Sequence, residues 1–386
     1  MSMLERRLVR DPSVLASGGL LSKLFRINWT YVVLICALAA VGYVALYAAA
    51  GGNAEPYASK HIIRFGVGLV MMLGIAMVDI RFIARLSWIA YAGGVGLLLL
   101  VMKLGHVGKG AQRWIEFGGI QWQPSEFMKI ALIMALAAWF HRASYERAGN
   151  PLFLIPPVLA VLVPVGLILK EPNLGTAVIT AAVGFSVFLG AGLRWWKILL
   201  VAVCIAGAAP LAYDHLHDYQ RQRIVTFLHP ESDPLGAGYN ILQSRIALGS
   251  GGMWGKGYLQ GTQGNLNLLP EKQTDFIFTV LAEEFGMVGG LAVLGLLLMI
   301  VLGAVAIGLR CRHQYGRLLS LGIATNFFMY VFVNIAMVMG AIPVGGVPLP
   351  LISHGGSAMI MVMLGFGLLL SVHVHRDVEF ADDKDG

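Results

Sequence analysis

The sequence predicts an all-α polytopic membrane protein of about ten transmembrane helices, with both termini cytoplasmic and one large extracytoplasmic loop between helices 7 and 8. Three observations carry that prediction. Of the 386 residues, 57% are hydrophobic and 13% charged, with a mean hydropathy of +0.73; a soluble domain carries about 25% charged residues. Apolar runs recur that are long enough to cross a hydrocarbon core of about 30 Å. Finally, Lys and Arg alternate in density from loop to loop, which fixes orientation.

The expected spans are approximately 30–50, 61–79, 86–104, 124–141, 152–170, 174–193, 197–213, 276–309, 318–341 and 355–373. The seventh is short. The eighth exceeds a straight crossing, so it is expected to tilt, to kink near Gly286, Gly289 and Gly290, or to extend beyond the lipid. One set of loops and tails carries sixteen Lys and Arg residues and the opposite set eleven, five of them in one long loop where charge has less influence. The rule makes 1–29 and 374–386 cytoplasmic tails flanking one integral-membrane domain, and turns 105–123, 170–173, 214–275 and 342–354 outward. The charged start (Glu5, Arg6, Arg7, Arg10) precedes a full-length span with no small-residue cleavage site, which reads as a retained anchor. The net charge of +7 is dispersed over loops and reports topology; it is no nucleic-acid footprint. Cys36 and Cys204 lie in apolar runs and Cys311 in a basic loop, so no disulfide framework is implied.

Helices 4, 6 and 8 then begin on the outer side, at Pro124, Asn173 and Thr274-Asp275. Helix starts carry free N–H groups and partial positive charge, so their convergence would make an anion site. Asp275 is the leading catalytic candidate: a carboxylate at a membrane edge is costly to hold there, and desolvation raises its pKa toward that of a general base. Its structural alternative is a helix cap. Glu126 and Lys129 are three apart and share a helix face; they suit either a capped helix start with a salt bridge or a polar cavity. Lys170 to Thr176 form the next outward corner, with Asn173 as cap. Arg113 beside Trp114 suits an interfacial anchor or a bidentate phosphate ligand, and the residues alone leave both open.

The long outer loop is no floppy linker. It holds Tyr219, Ile224, Phe227, Tyr239 and Leu242, and then a Gly-rich half around Gly249 to Gly257 with Lys256. That half suits a phosphate cradle or close backbone packing on the membrane surface. The run Pro343 to Ser357 is apolar yet broken by Pro and Gly, so it is expected to wall the outer cavity, with His354 as a structural histidine. No metal-ligand spacing, Walker loop or dinucleotide fingerprint occurs in a matching context.

Six motifs, in order, resemble the SEDS family, the polytopic peptidoglycan glycosyltransferases: Gly110–Trp114, Gln123-Pro124-Ser125-Glu126, Glu171–Thr176, Gln243–Gly252, Leu269–Phe278 and Pro348–Ser357. Asp218–Leu228, Asp233–Asn240 and Phe278–Glu284 are more similar to its elongation branch, the RodA-like enzymes, than to its division branch. The resemblance implies polymerisation of lipid II into β-1,4 glycan by inverting transfer, in the bacterial cytoplasmic (inner) membrane with the active site facing outward. It implies Asp275, Glu126 and Lys129 as catalytic residues, with Arg113, Glu171, Asn173, Lys256, Thr274 and Ser353 as substrate-binding candidates. The family usually has Asp where this chain has Asn173, which cannot be a base. The leaving pyrophosphate is expected to meet Arg113, Lys129, the outward helix starts or a divalent cation such as Mg2+ or Mn2+, with no organic cofactor. The implied partners are a class B penicillin-binding protein and the elongation machinery. From the residues alone, a lipid II flippase is the main rival and a non-catalytic scaffold the third reading.

Overall fold

The computed structural model describes residues 20–108, 111–117, 120–141, 151–193, 221, 225–227, 229, 233, 236–262, 269–343 and 345–380. The expected seventh span, most of the N-terminal tail and the last six residues lie outside these residues.

A short helix, α1 (Leu20–Arg26), leads into α2 (Trp29–Ala49), whose start is capped by Asn28 accepting from the Tyr31 amide at 3.1 Å. After it come α3 (Ala58–Ala76) and α4 (Ile80–Leu104), the latter capped by Asp79, which accepts from the Arg81 amide at 2.8 Å. Then follow α5 (Pro124–His141), α6 (Pro151–Lys170) and α7 (Leu174–Gly190). Beyond the long loop region come α8 (Ala237–Ser250), α9 (Ile277–Leu309), α10 (Gln314–Val338) and α11 (Gly356–Val374).

Among the described residues seven helices are long and apolar enough to cross a membrane: α2, α3, α4, α6, α9, α10 and α11. Helix α7 is apolar but has 17 residues. Helix α5 is not among the seven, since its first turns carry Glu126 and Lys129, yet it is among the most buried helices. That burial shows how the cost of its charges is met: they face protein, not lipid.

The expectation of an all-α chain needs one correction. Between α4 and α5 lie β1 (His106–Gly108), β2 (Ala111–Phe117) and β3 (Ile120–Trp122), an antiparallel three-stranded sheet in that order. Its second ladder pairs Ile115 with Trp122 and Phe117 with Ile120. Glycines here alternate with aromatic and β-branched residues, which favour short strands and leave too little length for a helix. A second refinement is that the outer loop contains a 14-residue helix, α8.

Helix α10 is the hub of the bundle, packing against α5, α7, α8, α9 and α11. Around it α11 lies on α3, α4 on α5, α2 on α9, and α6 on α7. Tyr315, Phe327 and Tyr330 of α10 are fully buried, and Phe327 meets Phe366 of α11 at 5.3 Å between ring centres. Helix α9, 33 residues long, breaks at Gly286, whose φ of 67° and ψ of −166° interrupt the helix. A Cβ there would sit 2.2 Å from the Gly255 amide nitrogen, so the break, the glycine and the crossing Gly-rich loop form one feature.

At the end of the bundle away from Asp275, residues 376–380 fold back over the helices. Arg81 donates to the Glu379 carbonyl at 3.0 Å, and the Phe380 ring lies 4.4 Å from that of His141 and 5.0 Å from that of His313.

Candidate active site

The polar residues singled out in the sequence gather mostly around the Asp275 end of α10. The pattern that builds the site is visible in α10 itself. Asn326, Tyr330 and Asn334 recur at a spacing of four, so they form one polar stripe on a buried helix, and all three are under 5% exposed.

Tyr330 meets the pair on α5. Lys129 is 1% exposed and its Nζ donates to Glu126 Oε1 at 2.9 Å. The Tyr330 hydroxyl accepts from Lys129 and donates to the other oxygen of Glu126, closing a three-membered ring of hydrogen bonds. The ammonium also lies 4.2 Å from the centre of the Tyr330 ring. Glu126 does not reach back to cap its helix; its carboxylate is taken by Lys129 and Tyr330. The adjoining Ser125 hydroxyl is buried with no hydrogen-bond partner among the described residues.

One turn further along α10, Asn334 is wholly buried and its amide nitrogen donates twice, to the Asp275 carbonyl at 2.9 Å and to the Val347 carbonyl at 2.8 Å. Ser353 makes a parallel tie, its hydroxyl donating to the Thr274 carbonyl at 2.5 Å and accepting from the Leu349 amide at 2.8 Å. The His354 amide donates to the Gln273 carbonyl at 2.8 Å. Residues 273–275 are thereby laced to the irregular 345–354 segment. Burial in protein is what lets such non-helical backbone exist beside lipid.

Asp275 is half-buried and is not the cap of α9. That position belongs to Phe276, which has no capping side chain. Its carboxylate instead faces Gly346, where a Cβ would lie 3.7 Å from Oδ2. Thr274 turns its hydroxyl to Glu271, 3.0 Å from Oε2. The hydroxyls of Thr274 and Ser353, expected at the substrate, are therefore engaged in holding the Asp275 loop.

Asn173 caps α7, accepting from the Thr176 amide at 3.4 Å. Two residues earlier, Glu171 is 2% exposed and neither carboxylate oxygen has a hydrogen-bond partner among the described residues. Burial pushes its pKa up to about 8, against the opposing pull of the Arg113 charge from β2. The structure so links Arg113, left open between anchor and ligand, to the α6–α7 turn.

Lys256 lies apart from this group. Its Nζ donates to Glu283 Oε1 and to Thr262 Oγ1, each at 2.7 Å, and Glu283 also accepts from the Thr262 amide at 2.9 Å. Glu283 is eight residues beyond Asp275, about 12 Å along a helix axis. The Gly255 amide donates to the Gly251 carbonyl at 2.8 Å, and the Lys256 and Gly257 amides donate to the carbonyls of Glu283 and Glu284. Of the two readings of the Gly-rich half, close backbone packing is what the geometry displays.

Among the described residues no group of three or more His, Cys, Asp or Glu side chains could hold a metal ion. Tyr330 and Asn334 were not singled out from the sequence; the spacing of four along an apolar helix was the signal that points to them.

Comparison with known proteins places the chain in a family. The profile of the family described as cell cycle protein, FtsW/RodA/SpoVE, matches residues 23–378. The chain is 42% identical over 352 residues to the peptidoglycan glycosyltransferase MrdB of Escherichia coli K12, covering 90% of this chain and 93% of that one. It is 32% identical over 430 aligned positions to the peptidoglycan glycosyltransferase RodA of Treponema pallidum, covering 90% and 98%. Among solved structures it superimposes with a TM-score of 0.80 on a chain of a peptidoglycan synthase complex that coordinates polymerization and crosslinking, at 31% identity over 92% of this chain and 99% of that one. The rod shape determining protein RodA of Thermus thermophilus gives a TM-score of 0.69 at 29% identity, covering 92% and 98%.

Proposed function

The chain belongs to the FtsW/RodA/SpoVE family, and from that premise we propose that it is a peptidoglycan glycosyltransferase that polymerises lipid II with Asp275 as general base. The observation that carries the reading is the setting of Asp275: half-buried, one residue ahead of the α9 cap position, with its own carbonyl held by Asn334 and that of Thr274 held by Ser353. A base must be fixed against the proton it takes, and rigid supporting hydrogen bonds supply that fixity.

In this mechanism the acceptor's sugar hydroxyl attacks the anomeric carbon of the donor and Asp275 takes its proton. A carbon–oxygen bond forms as the bond to the pyrophosphate breaks, and the α-linked donor becomes a β-1,4 glycoside. The bonding electrons depart with the pyrophosphate, whose growing charge needs preorganised cations. Lys129, within the polar cluster, and Arg113, whose charge acts on Glu171, are the cations this reading assigns to it. Glu126 and Tyr330 hold the Lys129 ammonium by two hydrogen bonds, so it is oriented before substrate arrives. A divalent cation, were one to take part, would be held largely by the substrate's phosphates, since no group of three or more His, Cys, Asp or Glu side chains stands ready for it among the described residues.

The Lys and Arg asymmetry of the loops supports an active site on the outer face of the bacterial cytoplasmic membrane. Likeness to a chain of a peptidoglycan synthase complex supports a crosslinking partner, read here as a class B penicillin-binding protein of the elongation machinery.

The test is incubation of the purified protein with fluorescent lipid II, with and without Mg2+ or Mn2+ and with a partner lacking glycan chemistry of its own. Wild type is expected to give polymer ladders and Asp275→Asn none. A folded Asp275→Asn variant that polymerises at the wild-type rate sinks Asp275 as base. Absence of ladders from folded, partner-bound wild type moves the reading to lipid transport.

A further inference from the structure

Close to the Asp275 loop lies a second polar group, built from residues outside the catalytic proposal. Arg64 stands in the second turn of α3, flanked by Ile62, Ile63 and Phe65 in sequence, and is half-buried. Lys60 is one turn earlier on the same face and is exposed. Among the described residues neither has a carboxylate within 4.0 Å. The nearest partner of Arg64 is an imidazole: its Nη1 lies 3.3 Å from His354 Nε2. A guanidinium only donates, so that ring nitrogen is the acceptor and His354 is neutral. Burial, with the charges of Arg64 and Lys60, pushes the His354 pKa down to about 4, in accord with a neutral ring. The group therefore carries positive charge with no protein anion to answer it, at a depth where unanswered charge is costly.

The start of α11 faces the same place. Gly355 occupies the cap position and offers no capping side chain, which leaves the first N–H groups of a 19-residue helix to other acceptors. At Gly356 a Cβ would lie 3.1 Å from Arg64 Cζ, so the guanidinium rests against the bare first turn. The amide of His354 in turn is bonded to Gln273, two residues from Asp275.

We propose that Arg64, Lys60 and the start of α11 form a subsite for a pyrophosphate ester carried on a polyprenyl tail. The inference rests on the reading of this chain as an enzyme acting on a pyrophosphate-linked lipid. The guanidinium fork suits two phosphate oxygens at once, the helix start supplies N–H donors, and Lys60 adds charge from the exposed side. The lipid-facing flank of α3 would leave the tail in the bilayer. This subsite holds the substrate by its anion, and Asp275 acts on the sugar beside it.

The test uses the full chain in phosphatidylcholine nanodiscs, with polyprenyl pyrophosphate binding followed by native mass spectrometry. Arg64→Gln is expected to weaken binding about tenfold, the loss of one charge-assisted contact. Lys60→Gln, at an exposed position where folding is not at stake, is expected to weaken it about threefold by loss of a partly screened charge. Arg64→Lys keeps the charge without the fork and should fall between wild type and Arg64→Gln. Wild-type affinity in Arg64→Gln and Lys60→Gln overturns the subsite. An equal Arg64-dependent gain for phosphatidylglycerol added to the nanodiscs, with no pyrophosphate lipid present, overturns the pyrophosphate assignment in favour of bulk lipid headgroups. Asp275→Asn separates the two proposals: it should bind the pyrophosphate lipid as wild type does while forming no polymer. Arg64-dependent binding by a protein that never polymerises lipid II removes the enzyme reading and leaves the subsite standing.

Discussion

Among the described residues two Lys–Glu pairs have nearly equal length and opposite surroundings. Lys129–Glu126 measures 2.9 Å and Lys256–Glu283 measures 2.7 Å, and both glutamates are under a tenth exposed. Around Glu283 the donors are Lys256, the Thr262 amide and the Thr262 hydroxyl, all on the Gly-rich loop that crosses the Gly286 break. Around Lys129 the remaining partner is Tyr330, on the hub helix one turn from the residue that holds Asp275. The Lys256–Glu283 pair fastens a loop to a broken helix; the Lys129–Glu126 pair sits within the polar cluster, with both charges almost removed from solvent. The pairing of Lys with Glu in the sequence says nothing of this difference. The neighbours decide it.

The contrast predicts effects of descending size. Lys129→Met leaves Glu126 buried without its cation, which costs about 3–5 kcal/mol for a broken buried pair. Polymerisation by the surviving folded protein should drop about 100-fold, as for other preorganised electrostatic groups. Thermal melting together with ladder formation per folded molecule checks both parts. Lys129→Met with normal stability and normal turnover would break the comparison. Combining Lys129→Met with Glu126→Leu removes both charges, and should recover about 1–3 kcal/mol of the single variant's loss without recovering activity. A double-mutant cycle on melting temperature and turnover would measure it.

For the second pair, Lys256→Met leaves Glu283 with both Thr262 donors, so the cost should be about 2 kcal/mol, that of one hydrogen bond to a charged group. Turnover per folded molecule should stay within about twofold, since Lys256 is predicted to act through folding alone. A tenfold fall in turnover at unchanged melting temperature would return Lys256 to the substrate-contacting role the sequence suggested.

The smallest expected effect is a pH slope from Glu171. Its folded pKa of about 8 lies above the ordinary 4.5, so between those values the folded state holds a proton that the unfolded chain has lost. Stability then falls as pH rises through that window and levels off above it. The melting temperature should be lower at pH 8 than at pH 5, and Glu171→Gln should flatten the slope. An unchanged slope would mean that Arg113 keeps Glu171 ionised throughout.

The sites differ in how much of them could be read in advance. Glu126 and Lys129 were legible as a pair because three residues of helix place them on one face. Asp275 was legible as unusual because an acid at the mouth of a long apolar run stands out. That Phe276 and not Asp275 takes the α9 cap position was not legible, because helix boundaries depend on backbone geometry at a single residue. Thr274 and Ser353 were named as substrate ligands through the family resemblance; the hydrogen bonds of their hydroxyls, to Glu271 in the same turn and to the Thr274 carbonyl 79 residues away, were not legible. The strands between α4 and α5 were missed because the length and hydropathy of the flanking helices dominate that region.

By itself the sequence determined a mostly helical body with membrane-spanning helices, most described helix limits to within a few residues, the family, and a short set of polar residues worth testing. Hydropathy and loop charge act locally along the chain, so one dimension is enough to read them. Tertiary structure alone decided which polar groups answer one another. Tyr330 meets Glu126 across 204 residues of chain, Asn334 holds Asp275 across 59, and Arg64 reaches His354 across 290. Such pairings exist only after α10 has packed among α5, α7 and α9 and α11 has packed on α3, because hydrogen bonds act over about 3 Å and sequence spacing carries no record of contacts between separate helices.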